Sequence, residues 1–208
     1  MNVRFTLVAD GPSDSALMPI LTKLLRADPR VTEIDGQFAH PTMLPRVREG
    51  LAARAVAALS LFPANLLFVH RDAERERHDV RRQEIMETLR ELLQVRPFVP
   101  VVPVRMTEAW LLFDESAIRT AAGNPRGRTS LNLPRLQDLE SITDPKSSLY
   151  LALRTACELH GRALTKFNTR EAARVADLID DFSPLSGLVA FQCLRQDLLA
   201  VLDRIADN

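Results

Sequence analysis

A chain of 208 residues with 46% hydrophobic and 26% charged residues has the make-up of an ordinary globular protein with enough apolar content for a substantial core. Its 27 basic and 27 acidic residues cancel, so no global field draws it to nucleic acid or to an anionic bilayer. No apolar run reaches the roughly 18 residues of a spanning helix, the first residues read as a strand and not as a leader peptide, and no Cys/His spacing suits zinc.

The expectation is a cytoplasmic protein without membrane association. Cys157 and Cys193 fall in apolar helical stretches and read as thiols, not as a disulfide.

Val3 to Ala9 is a buried strand that runs into Asp10-Gly11-Pro12-Ser13-Asp14. A helix capped near Ser13 comes next, with Leu17, Ile20, Leu21, Leu24 and Leu25 on one side, and it ends near Asp28-Pro29. A weak strand is expected over Gly36 to His40, then an alanine-rich helix from Leu44 to Leu61. Leu66 to Val69 is the next strand, leading into His70-Arg71-Asp72-Ala73-Glu74. A long helix from about Arg75 to Val95 should bury Ile85, Leu89, Leu92 and Leu93, its mixed charges forming a solvated face. Val99 to Val104 is a strand whose Pro100 and Pro103 argue against a central place, and it leads toward Glu108 in a short helix or turn.

Strands alternating with helices predict an α/β fold, a parallel sheet covered on both faces. Residues 121–132, with Arg126 and Arg128, read as a surface loop. Beyond Pro134 the pattern is helical: one helix from Asp144-Pro145-Lys146 to Cys157, one over Thr169 to Ile179, and a last one from Ser183-Pro184 to Ile205. The division is therefore an α/β core, 1–133, and a helical extension packed on it, 134–208.

Three strand ends carry acids. In an open parallel sheet ligands bind outside those ends. Asp10, Asp14, Asp72, Glu74 and Glu108 are thus expected around one crevice. Crowded carboxylates repel unless a cation joins them, and oxygen ligands suit a hard ion such as Mg²⁺ or Mn²⁺. Each acid alone has a structural use: Asp10 in a turn, Asp14 in a first helical turn, Asp72 and Glu74 as caps. Glu108, set among Val104, Met106, Trp110 and Leu111, is the hardest to dismiss.

The order Asp10-Gly11…Asp14, Arg71-Asp72-Ala73-Glu74 and Glu108-Ala109-Trp110 resembles the TOPRIM fold, in particular small TOPRIM-like proteins allied to OLD-family nucleases. Asp144-Pro145-Lys146 and Phe182-Ser183-Pro184-Leu185 also look like that group. The chain departs from it by having Asp10 where glutamate is usual and Glu74 where aspartate is usual.

The resemblance implies a three-layer TOPRIM-like α/β sheet and a magnesium-dependent nuclease. Its metal ligands would be Asp10, Asp14, Asp72, Glu74 and Glu108. Its catalytic residues would be Asp10 as general acid/base, Glu108, and a cation such as Lys146, with Lys166, Arg126 or Arg128 as other choices. It further implies a nucleic-acid substrate, an ATPase partner and a role in bacterial defence.

The alternative is an inactive interaction module. In it the stripe of Leu185, Leu188, Phe191, Leu194, Leu198, Leu199 and Leu202 docks a partner or a second copy as a homodimer. A dinucleotide-binding protein is disfavoured, because Gly11 stands without a phosphate-cradling glycine series.

Overall fold

The computed structural model describes residues 1–92, 96–167 and 172–206. Four strands, β1 (Asn2–Val8), β2 (Glu33–Ala39), β3 (Leu66–His70) and β4 (Phe98–Val101), form one all-parallel sheet in the order β2-β1-β3-β4. The expected α/β architecture is therefore present.

Alternation along the strands decides which face each side chain enters. Phe5, Leu7, Leu66, Phe68, Val99 and Val101 join α1 (Leu17–Arg26) in one apolar cluster. Val8, Leu67, Val69 and Phe98 join Ala55 and Ala58 of α2 (Leu51–Leu61) and Ile85 of α3 (His78–Thr88) in another. Helices therefore cover both faces, and the chain reverses direction across the sheet between β1 and β3.

The later helices are α4 (Glu115–Ala121), α5 (Pro145–Ala156), α6 (Gly161–Lys166), α7 (Ala172–Leu178) and α8 (Val189–Ala206). Leu149, Leu153, Val175, Phe191 and Leu202 share the apolar cluster of Phe5 and Phe68, so residues beyond 134 complete the core on the α1 face. Leu185, Leu188, Leu194 and Leu198 are buried there too, while Leu199 is exposed. The leucine stripe of the tail is thus consumed by the chain's own core. Among the described residues no helix is long and apolar enough to cross a membrane.

Several expected elements differ in length. The helix expected over 44–61 forms only from Leu51, because Gly50 takes φ +95° after Pro45 and a 3-10 turn over Val47–Glu49. The long helix expected from Arg75 starts at His78 and closes at Thr88, with Leu89 outside helical geometry at φ −105°, ψ 14°. Leu93 and Val95 of that expectation, and Thr169 of another, lie outside the described residues. β2 is longer than expected, and β4 ends at Val101. Pro100 is accommodated because β4 stands at the sheet's edge. Cys157 and Cys193 are free thiols.

Gly36 is fixed by its neighbour. It pairs with Phe5 across the ladder, and a Cβ there would stand 2.5 Å from that ring. Phe5 cannot retreat, being edge-on to Phe68 with centroids 5.2 Å apart. Gly36→Ala is expected to cost about 2 kcal/mol by overpacking and to lower the melting temperature by about 6 °C. A thermal melt with no measurable change would refute that packing.

Candidate metal centre

The ladder sets the strand ends level. Val8 stands opposite both Ala39 and Val69, and His70 opposite Val101. The segments leaving β1, β3 and β4 therefore emerge at one end of the sheet, beside the reversal between β1 and β3 where doubly wound sheets bind ligands. Backbone pairing continues past β3 and β4, with Arg71 N–H donating to Val101 O and Ala73 N–H to Pro103 O. That extension holds Asp72 beside the 3-10 helix Thr107–Leu111, which carries Glu108.

His70 lies at the middle of this end and is 1% exposed. Its Nδ1 stands 2.9 Å from the Val101 carbonyl. A carbonyl only accepts, so Nδ1 carries the hydrogen. Nε2 then faces Asp72 Oδ1 at 3.5 Å and Asp14 Oδ2 at 3.7 Å. Burial pushes the imidazole pKa down, with Asp14 pulling the other way. A neutral ring therefore presents a lone pair to two carboxyl groups, and among the described residues no cation is recorded between them.

Asp72 carries the consequence. Burial first, then the charges of Asp14 and Glu108, push its carboxyl pKa up to about 8. Its Oδ1 is buried without a hydrogen-bond partner among the described residues. Glu108 is also pushed up, mainly by burial, while Lys146 opposes the shift with its Nζ 4.0 Å from Oε1. Lys146 is delivered there by the first turn of α5, whose N-cap Asp144 accepts from Ser147 N–H at 2.9 Å.

The acids do not share one fate. Asp14, Asp72 and Glu108 converge on one another, although Asp14 also closes its own turn by accepting from Gly11 N–H at 2.9 Å. Asp10 is exposed at the rim, 3.4 Å from the Arg71 guanidinium, which also pairs with Glu84. Glu74 is exposed on a turn at φ +53°. Of the cations considered for the site only Lys146 reaches it. Lys166 sits on α6, and Arg126 and Arg128 on the loop beyond α4.

Arg54 was not expected here. It is 2% exposed and its Nη2 donates to Ala9 O at 2.5 Å, bracing the exit of β1. Its place in the helical phase of buried Ala55 and Ala58 was the available signal.

Among the described residues no group of three His, Cys, Asp or Glu side chains is already arranged to hold a metal ion. The donor chemistry nonetheless fits a hard divalent cation: carboxyl oxygens, one of them buried and unpartnered, raised in proton affinity by burial first and then by one another's charge. A cavity of about 660 Å³, lined by Arg4, Asp35, Asn65 and Arg96 among others, lies at the opposite, amino-terminal end of the sheet. No family model, curated protein or solved structure matches the chain.

Proposed function

We propose that this chain is a magnesium- or manganese-dependent phosphodiester-cleaving enzyme, or the nuclease subunit of a larger assembly, built on a TOPRIM-like sheet. The observation that carries the reading is the convergence of Asp14, Asp72 and Glu108 around a neutral His70, with Lys146 alongside. Lys146 offsets only part of this crowding, at Glu108, and a divalent ion on a phosphate ester would offset the rest.

Asp14, Asp72 and Glu108 would hold the ion. When bound, such an ion polarises a phosphoryl oxygen and lowers the pKa of a coordinated water. Lys146 sets a positive charge beside Glu108, where it would balance charge developing on phosphate oxygens. His70, locked through Nδ1 to Val101, fixes the direction of Nε2, which lies 3.7 Å from Asp14 and 3.5 Å from Asp72. Asp10 is the residue this reading assigns to proton transfer, once Arg71 releases it. A neutral chain grips duplex DNA weakly, so the reading includes an ATPase partner that presents the substrate, as in a defence system.

The test is cleavage of labelled DNA and RNA with manganese or magnesium. Wild-type protein should cut in a metal-dependent manner, and Asp72→Ala should lose at least about a hundredfold, beyond the roughly 10–100-fold typical of changes to outer-sphere partners. Cutting that persists in EDTA, or equally in the variant, would overturn the assignment.

One observation favours a second reading, a scaffold that retained acids without the chemistry. Asp10 and Glu74, the positions where the chain departs from the TOPRIM pattern, are the exposed acids of the set, and Asp10 is already paired with Arg71. Metal-dependent stabilisation without cleavage would select it.

A further inference from the structure

α5 runs outward from the acidic centre, and one side of it carries Lys146, Tyr150 and Arg154 at intervals of four residues. That spacing puts all three on a single helix face. Lys146 begins the line 4.0 Å from Glu108. At ~1.5 Å per residue, Arg154 stands about 12 Å further along the axis. Between them is the chain's single tyrosine, half-buried against the edge of the core.

The far end of α5 receives the loop beyond α4. Asn124 Nδ2 donates to Ala156 O at 3.0 Å. Glu158 accepts from the N–H groups of Arg128 and Thr129 at 2.6 and 2.7 Å. Those two bonds hold its carboxyl down to about 2, so it stays anionic and committed to the backbone. Arg119, 7% exposed, donates to Thr129 O at 2.7 Å. Gly127 fits because a Cβ would stand 2.6 Å from Asn124 Nδ2.

The loop is therefore built, and what it displays is the exposed pair Arg126 and Arg128. Arg30, Arg77 and Arg82 are consumed by carboxylates. For the guanidinium groups of Arg126, Arg128 and Arg154 the described residues provide no hydrogen bond or ion pair. Arg162 and Lys166 are exposed just beyond, on α6.

We propose that Lys146, Tyr150 and Arg154, continued by Arg126 and Arg128, form a track for single-stranded nucleic acid that leads to the acidic centre. The inference rests on the reading of that centre as a phosphodiester site and names its substrate class. Cations spaced along one line match the phosphates of one strand. A partly open tyrosine among them offers a stacking face, usable only by an unpaired base, because base pairing and stacking bury the ring faces in a duplex.

Fluorescence anisotropy in EDTA tests it without any cleavage. The probes are labelled single strands of about 20 nucleotides, as DNA and as RNA, and the matching duplex, at about 50 to 200 mM salt. Single strands should bind about tenfold more tightly than duplex, with a logarithmic salt slope near −2.8 from four neutralised phosphates at ~0.7 each. The stronger of the DNA and RNA arms identifies the sugar, and binding of either supports the track.

The double variant R126E/R128E should keep its melting temperature, weaken binding at least about tenfold and flatten the slope by about 1.4. Tyr150→Ala should weaken it by about fivefold or more. Duplex bound as tightly as single strands, or binding indifferent to R126E/R128E, overturns the proposal. Single-strand binding with no cleavage under manganese leaves the track standing and removes the phosphodiesterase reading. Metal-dependent cleavage with affinity unchanged in R126E/R128E does the reverse.

Discussion

Asp72→Asn should make the metal-free protein more heat-stable and, at the same time, unresponsive to manganese. The two effects have opposite sign and one cause. In the folded chain the Asp72 carboxyl pKa is pushed up to about 8 from 3.8 by burial and by the charges of Asp14 and Glu108. Folding thus favours the neutral acid. Stability from this group is complete below the unfolded value near pH 4 and drains as pH climbs through the folded value near 8.

Each tenfold change in proton affinity is about 1.4 kcal/mol. The side chain is 26% exposed, so water screens part of that penalty, and about 2 kcal/mol is expected to remain near neutral pH. Asparagine carries no charge and can still accept from the Thr107 N–H. Its advantage should be absent near pH 4, grow toward pH 8 and then level, reaching about 6 °C in melting temperature.

Saturating manganese should reverse the ranking. At a hundredfold excess over its dissociation constant, a ligand adds about 2.7 kcal/mol to the protein that binds it, or about 8 °C. Wild-type protein should gain that and Asp72→Asn should not. Differential scanning calorimetry across pH, with and without metal, measures both arms. A variant that is less stable without metal, and rises with manganese as wild type does, contradicts the account.

The sheet and the place of its acids were legible in the sequence for a specific reason. Buried parallel strands are continuous apolar runs, and Leu66 to Val69 or Val3 to Ala9 cannot be satisfied at a surface. The acids at their ends mark where the chain leaves the core. The helix boundaries were less legible because they turn on backbone geometry. Gly50 at φ +95° and Glu74 at φ +53° end or delay helices that periodicity alone would extend.

The partition among the acids was not legible at all. Asp10 and Asp14 are equally placed in sequence, yet Arg71 holds one at the rim while the Gly11 N–H turns the other inward, to 3.7 Å from His70. Those partners come from β3 and from the local turn, and nothing in the spacing of Asp10 and Asp14 distinguishes them. His70 shows the same limit: a histidine at a strand end reads equally as a cap or a ligand until Val101 is seen to take its Nδ1 hydrogen.

Trp110→Ala should be the most damaging single change that leaves every charged group in place. Trp110 is 0% exposed and meets Phe191 of α8 edge-on, with centroids 5.2 Å apart at 90°. It lies in the 3-10 helix that carries Glu108, so its indole pins that short element against the core. Truncation leaves a cavity worth about 3–5 kcal/mol and should lower the melting temperature by about 10 °C.

A 3-10 turn has little cooperativity of its own. Once the pin is gone, Glu108 should lose its fixed place 4.0 Å from Lys146. The manganese-induced rise should therefore shrink along with the melting temperature. Trp110→Phe keeps an aromatic face for Phe191 and sacrifices no hydrogen bond, because the indole Nε1 is buried without a partner among the described residues. It should retain most of the stability and most of the metal response. Should Trp110→Ala melt well below wild type yet keep the full manganese shift, Trp110 would be a core residue only, and Glu108 would hold its position by other means.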